Sequence, residues 1–128
     1  MYDLIGDIHG HADELLELLD RLGYRRRDGH HEHPERKVIF VGDFIDRGPK
    51  IRDVLNVVRP MIDSGSALAV MGNHEFNAIA YHTPDPANPG GFLREHSLKN
   101  THQHAETVKQ VGQTELAESV EWFRTLPL

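Results

Sequence analysis

The chain has 128 residues, of which 38% are hydrophobic and 27% are charged, and this composition predicts one globular domain. Its formal net charge of -6 argues against a general surface for DNA or for an anionic membrane. The absence of cysteine excludes a thiolate nucleophile and any zinc site with cysteine ligands. The sequence shows neither an apolar run of membrane-spanning length nor a signal-peptide pattern, so we expect a cytoplasmic protein.

Short apolar runs predict three β-strands, at residues 4–5, 38–41 and 67–71. They are rich in β-branched residues and each is followed by glycine, as is typical of parallel strands that are buried on both faces. Apolar residues at helical spacing predict five helices, at about residues 11–22, 50–63, 76–81, 97–111 and 115–125. These elements predict an α/β fold with a parallel, doubly wound sheet, helices on its faces and right-handed crossovers.

Two connections between these elements are polar or rich in turn residues. Residues 24–37 are mostly charged and include His30, His31 and His33, a composition that favours a solvated loop over a metal site. Residues 82–91 contain three prolines and two glycines, so we expect an irregular loop there.

The last two predicted helices carry further histidine and aromatic residues. His102 and His104 are expected on a solvent-exposed helix face. Trp122 and Phe123 are expected to pack the last helix onto the core, because large aromatic side chains gain most from burial. None of these four residues is therefore assigned to a functional site from the sequence.

A polar segment that begins with glycine follows each predicted strand. The three segments read Gly-Asp-Ile-His-Gly at 6–10, Gly-Asp-Phe-Ile-Asp-Arg-Gly at 42–48 and Gly-Asn-His-Glu at 72–75. The carboxyl ends of parallel strands form the edge at which ligands bind in open α/β sheets. The sequence therefore predicts that the three segments build one shared site.

The oxygen and nitrogen atoms in these segments are suitable ligands for divalent cations. Asp7 and His9 are two residues apart, so on an extended backbone they point the same way and could hold one ion. Asp43 comes from the neighbouring strand and could bridge two ions. The amide oxygen of Asn73 could begin a second coordination sphere.

The remaining polar side chains of these segments suit proton transfer and phosphate binding. Asp46 could hold the imidazole of His74 in one tautomer and raise its basicity, so that His74 can protonate a leaving oxygen. Arg47 offers a planar guanidinium that matches two phosphate oxygens. Taken alone, Arg47 would be read as a surface ion-pair residue, and its neighbours Asp43 and Asp46 favour the phosphate role.

The three segments resemble the GD-x-HG, GD-x-x-DRG and GNHE signatures of the calcineurin-like metallophosphoesterases, within their phosphoprotein phosphatase branch. The match runs over residues 2–75, which is more than half of the chain. The resemblance implies the following roles: Asp7 and His9 bind a first metal, Asp43 bridges, Asn73 binds the second metal, Arg47 and Asn73 contact phosphate, and His74 with Asp46 forms the acid pair.

The resemblance also implies a phosphoester hydrolase in which two divalent ions activate water for attack on phosphorus. Manganese, iron or zinc suit the mixed ligands better than magnesium. The expected partner is a phosphorylated substrate, either a phosphoprotein, as for the Ser/Thr protein phosphatases, or a nucleotide. Pro49 and the opening residues 2–6 also resemble bacterial diadenosine tetraphosphatases. A third alternative, of another class, is a metal-binding or interaction module without turnover.

The family's second metal takes two further histidines from later segments, in contexts such as V-H-A-G and G-H, and this sequence contains neither context after Glu75. We therefore expect residues 1–128 to be the N-terminal part of a single metallophosphoesterase domain, one half of its α/β sandwich, with the later strands missing. We also expect this chain to self-associate through uncovered sheet surface and to be inactive or weakly active by itself.

Overall fold

Residues 1–128 are described by a computed structural model with five helices, a three-stranded sheet and a two-stranded sheet. In chain order the elements are β1 (Tyr2–Ile5), α1 (Ala12–Arg21), β2 (Arg25–Arg27), β3 (His30–Glu32), β4 (Lys37–Phe40), α2 (Ile51–Asp63), β5 (Ala67–Ala69), α3 (Asn73–Tyr81), α4 (Leu98–Val111) and α5 (Gln113–Phe123). None of the helices has the length and apolar character that a membrane span requires.

The main sheet is parallel and has the strand order β1–β4–β5. Ile5 pairs with Phe40, and Phe40 in turn pairs with Ala69, so the three strands end side by side. The segments that follow them therefore start from one edge of the sheet. The predicted α/β fold with a parallel sheet is confirmed.

The two faces of this sheet differ in burial. Val38 and Phe40 are fully buried and lie in one hydrophobic cluster with residues of α1, α2 and α5. On the other face, 74% of Leu4 and 50% of Leu68 are exposed. The expectation of strands buried on both faces is therefore wrong for this chain, because its helices cover only the face that carries Val38 and Phe40. Self-association through the exposed face stays a prediction.

The core is formed where α1, α2 and α5 meet the buried sheet face. Leu19, Val58 and Phe123 are completely buried, as expected from the helical spacing of apolar residues. The ring centroids of Trp122 and Phe44 lie 6.3 Å apart, which joins α5 to the loop after β4. The prediction that Trp122 and Phe123 pack the last helix onto the core is confirmed.

The segment 24–37 is not a solvated loop, because β2 and β3 form an antiparallel hairpin within it. Asp28 and Gly29 form its turn, with φ values of 53° and 84°. Both central residues of such a two-residue turn need positive φ, and Asp-Gly is a favoured pair for this purpose. The Asp-Gly pair was the signal in the sequence for this hairpin.

A partly buried ion pair links β1 to the residue before β4. The carboxylate of Asp3 accepts hydrogen bonds from the guanidinium of Arg36 and, at 2.9 Å, from the hydroxyl of Tyr24. Burial alone would raise the pKa of Asp3, but these two hydrogen bonds outweigh it and hold the pKa below its usual value. Ionised Asp3 therefore stabilises the folded state.

Removing the Tyr24 hydroxyl should weaken this cluster. We expect Tyr24→Phe to lower the free energy of unfolding by about 1–3 kcal/mol at neutral pH, since the hydroxyl bonds a charged group. The contribution of Asp3 is present above its unfolded-state pKa, near 4, and is lost as the pH falls through its lowered folded-state pKa. Urea denaturation at several pH values should show the difference from wild type shrinking below about pH 4. The exposed Tyr2→Phe is the matched control and should change little.

Candidate active site

The loops after β1 and β4 are held together by main-chain hydrogen bonds. The N–H groups of Ile8 and His9 donate to the carbonyl of Asp43 at 3.1 and 2.9 Å. The N–H of Gly10 donates to the carbonyl of Phe44 at 2.9 Å. The two predicted site segments are therefore in direct contact.

Close approach of backbones explains the glycines at the two ends of the segment after β4, Gly42 and Gly48. A Cβ atom on Gly42 would lie 2.2 Å from the nitrogen of Gly72, and Gly42 has a φ of +86°. A Cβ atom on Gly48 would lie 1.9 Å from the carbonyl oxygen of His9. No larger residue fits these positions without a shift of the main chain.

Glu75 fastens the loop after β5 to the loop after β4. It is completely buried, and its carboxylate accepts hydrogen bonds from the N–H groups of Asp43, Phe44 and Gly72 at 2.6, 3.0 and 3.1 Å. Burial raises the pKa of Glu75 to about 7, although these three N–H donors act in the opposite direction. The sequence motifs alone assign no role to Glu75. Its place three residues after Gly72, where a Glu often caps the start of a helix, was the available signal.

Three of the four predicted metal ligands come together. The ligand atoms of Asp7, His9 and Asp43 all lie within 4.8 Å of one another. Nδ1 of His9 lies 2.8 Å from the carbonyl oxygen of Ile45. Because a carbonyl can only accept, Nδ1 carries the proton of this hydrogen bond, and the lone pair of Nε2 is free to bind a metal. These residues therefore fit a divalent ion in both ligand type and spacing.

Asn73 and Arg47 lie on the segments that follow β5 and β4. Asn73 is the exposed first residue of α3, and the N–H of the next residue, His74, donates to Oδ1 of Asp43 at 2.9 Å. Arg47 is exposed and has a φ of 73°. The expected phosphate-binding groups thus lie on segments fixed to the Asp7–His9–Asp43 group.

His74 and Asp46 form the predicted pair. Nδ1 of His74 lies 2.6 Å from Oδ2 of Asp46, and the His74 ring meets the His9 ring edge-on at a centroid distance of 4.6 Å. Burial alone would raise the pKa of Asp46, but hydrogen bonds from His104, Thr107 and His74 hold it below its usual value. Asp46 is therefore ionised at neutral pH and favours a proton on the Nδ1 atom of His74.

The expectation that His104 lies on an exposed helix face is wrong. His104 is buried, and its Nδ1 lies 2.8 Å from Oδ1 of Asp46, whereas His102 is exposed as expected. Helix α4 packs against α2 and points His104 and Thr107 inward from the same face. Their spacing of three residues was the only signal in the sequence, and it does not say what the helix packs against.

Backbone strain is concentrated at the candidate site. Five residues other than glycine have positive φ, and four of them belong to the predicted site: His9, Asp43, Asp46 and Arg47. Such conformations cost about 1–3 kcal/mol each and persist only where the surrounding structure enforces them. The hydrogen bonds of Glu75 and Thr107 to the main chain supply that constraint at Asp43 and Asp46.

Carboxylates and a histidine at the carboxyl edge of a parallel sheet, next to a His–Asp pair, are typical of metal-dependent hydrolases. The family model for calcineurin-like phosphoesterases matches residues 2–128. The chain belongs to this family.

Curated relatives and solved structures agree with this assignment. The asymmetrical bis(5'-nucleosyl)-tetraphosphatase PrpE of Bacillus velezensis is 33% identical over an alignment of 129 positions that covers 99% of this chain and 50% of that protein. PrpE of Halalkalibacterium halodurans is 46% identical over 74 residues, 57% of this chain and 30% of that protein. A serine/threonine phosphatase from Saccharomyces cerevisiae shares the fold, with a TM-score of 0.67 and 20% identity over 99% of this chain and 33% of its own. This chain spans at most about half the length of these curated relatives.

Proposed function

We propose that the chain supplies the metal- and phosphate-binding half of a metal-dependent phosphoester hydrolase. The observation that carries this proposal is the convergence of Asp7, His9 and Asp43 within 4.8 Å, beside the His74–Asp46 pair. A cluster that only stabilised the fold would not require a buried carboxylate to hold His74 beside three grouped ligand atoms.

The residues of the chain divide the chemical work between them. Asp7, His9 and Asp43 would hold a divalent ion, with Asn73 contributing to a second. Such ions lower the pKa of a water nucleophile and offset charge on the phosphoryl group. Arg47 would bind and orient the phosphate, because its planar guanidinium matches two phosphate oxygens.

His74 serves as the general acid. Asp46 keeps the proton of the pair on Nδ1 of His74, so a second proton on Nε2 can be delivered to the departing oxygen. The ionised state of Asp46 stabilises the charged imidazole that this step requires.

For the substrate class, we favour a dinucleoside polyphosphate. Support comes from PrpE of Bacillus velezensis, whose similarity extends over 99% of this chain. A phosphoprotein is the second candidate, and the likeness to the yeast Ser/Thr phosphatase concerns the fold alone. We propose manganese, iron or zinc as the metal, because histidine and carboxylate ligands are combined.

Metal binding by this chain tests the proposal directly. In calorimetry with Mn²⁺ after chelator treatment, we expect one tight site per chain. Asp43→Asn should weaken binding by about 100-fold or more, since it removes a ligand rather than a neighbour of one. The exposed Asp63→Asn is the matched control and should bind as the wild type does.

The outcomes separate the alternatives. Absence of Mn²⁺ binding, or an Asp43→Asn variant that binds normally, would contradict the proposed site, and two tight sites would contradict the single-site expectation. Tight binding without turnover of diadenosine tetraphosphate or a phosphopeptide by the full-length protein would instead identify a metal-binding module.

A further inference from the structure

Asp46 has more partners than the orientation of one histidine requires. Its Oδ2 accepts a hydrogen bond from His74 at 2.6 Å, and its Oδ1 accepts two, from Thr107 at 2.6 Å and from His104 at 2.8 Å. The N–H of Asp46 also donates to the hydroxyl of Thr107 at 2.9 Å. Thr107, which is completely buried, therefore holds both the main chain and the carboxylate of Asp46.

His104 is held from its other side by His82. Nε2 of His104 lies 2.9 Å from Nε2 of His82, so one of these two nitrogens must carry a proton and the other must not. Burial, with His104 and His96 nearby, lowers the pKa of His82 to about 4, which makes His82 neutral near pH 7. A neutral His82 that donates from Nε2 leaves the proton of His104 on Nδ1, facing Asp46.

We propose that His104 and Thr107 are positioning residues for the Asp46–His74 pair, and that His82 fixes the tautomer of His104. The contacts run from His82 to His104, from His104 to Asp46 and from Asp46 to His74. This inference rests on the proposed function, because it concerns the general acid assigned there.

The two carboxylate oxygens of Asp46 are divided between the partners. Oδ1 is occupied by the two donors of α4, so only Oδ2 faces Nδ1 of His74. Without the hydrogen bond from His104, the carboxylate of Asp46 can rotate away from its present orientation. His74 is then held less well for proton delivery. The loss should appear in kcat, because none of these groups binds the phosphate in the ground state.

Two amide substitutions separate hydrogen bonding from packing. His104→Asn keeps an N–H donor near the position of Nδ1, although Asn is smaller than histidine. His104→Gln fills more of the space but places its donor near Nε2, away from Asp46. We expect His104→Gln to lower kcat about 10- to 100-fold in the full-length protein, with KM nearly unchanged, and His104→Asn to retain most of the activity.

Substrates with poor leaving groups should show the larger loss in His104→Gln, because they depend most on the general acid. The same substitutions at the exposed His102, on the same helix, are the control and should leave kcat unchanged. A His104→Gln variant as active as His104→Asn would overturn the proposal. So would a loss that appears in KM rather than in kcat.

Ring protonation gives a test that does not depend on activity. In ¹⁵N-histidine spectra of the chain without metal, we expect His104 to carry its proton on Nδ1, and His82→Phe to weaken this preference, which Asp46 also supports. A proton on Nε2 of His104 in the unaltered chain would overturn the role given to His82. If the full-length protein hydrolyses no phosphoester, the proposed function fails and the positioning role fails with it, while these spectra still decide the contact between His82 and His104.

Discussion

Gly42→Ala should destabilise the chain by about 3 kcal/mol or more and is expected to prevent stable folding. The added Cβ atom would lie 2.2 Å from the nitrogen of Gly72, and the φ of +86° is unfavourable for alanine. The three nearest atoms, which are N and Cα of Gly72 and the carbonyl oxygen of Val70, all belong to the main chain, so a side-chain rotation cannot relieve the contact. Urea denaturation followed by circular dichroism measures the change in the free energy of unfolding.

Gly65→Ala separates the cost of a positive φ from the cost of steric contact. Gly65 has a φ of +85° but nothing within 4 Å of its Cβ position. The substitution should cost only about 1–2 kcal/mol, the penalty for left-handed backbone. Gly6→Ala, with neither strain nor contact, should cost less than about 1 kcal/mol. Equal losses for Gly42→Ala and Gly65→Ala would contradict the claim that backbone contact between the loops after β4 and β5 supports the site.

The sequence was sufficient to predict which segments meet at the site. Parallel strands end at one edge, so residues after β1, β4 and β5 had to converge there. Asp7, His9 and Asp43 are found grouped for this reason. Their proposed roles as ligands stay a prediction until a metal is bound.

The partners of Asp46 on α4 could not be predicted in this way. His104 is 58 residues away in sequence, and its contact depends on how α4 packs against the rest of the chain. A histidine among polar helix residues is usually exposed, as His102 is. Sequence periodicity states which residues share a face, but it does not identify the surface on which that face packs.

Two other differences have local causes. Asp28-Gly29 is a typical pair for a hairpin turn, but the strands on either side of it are charged and lack the apolar alternation that usually indicates a strand. The exposure of Leu4 and Leu68 could not be predicted from the sequence. An apolar residue in a strand does not indicate whether another layer covers its side of the sheet.

His74→Asn should lower kcat of the full-length protein about 10²- to 10⁴-fold, because it removes the ring nitrogen assigned to proton delivery. Asn retains a donor near the position of Nδ1, so the contact with Asp46 and the local fold should be kept. Mn²⁺ binding, measured by calorimetry, should therefore stay close to that of the wild type. His102→Asn is the matched control and should change neither quantity.

The dependence on the leaving group decides whether His74 acts as an acid. Loss of a general acid matters most when the departing oxygen is strongly basic, so the defect should shrink for phenols of low pKa and grow for alkyl phosphates. Asp46→Asn should act in the same direction and more weakly, because the imidazole remains but loses its charged partner. A His74→Asn defect of the same size for all leaving groups would remove His74 from this role and point instead to substrate positioning.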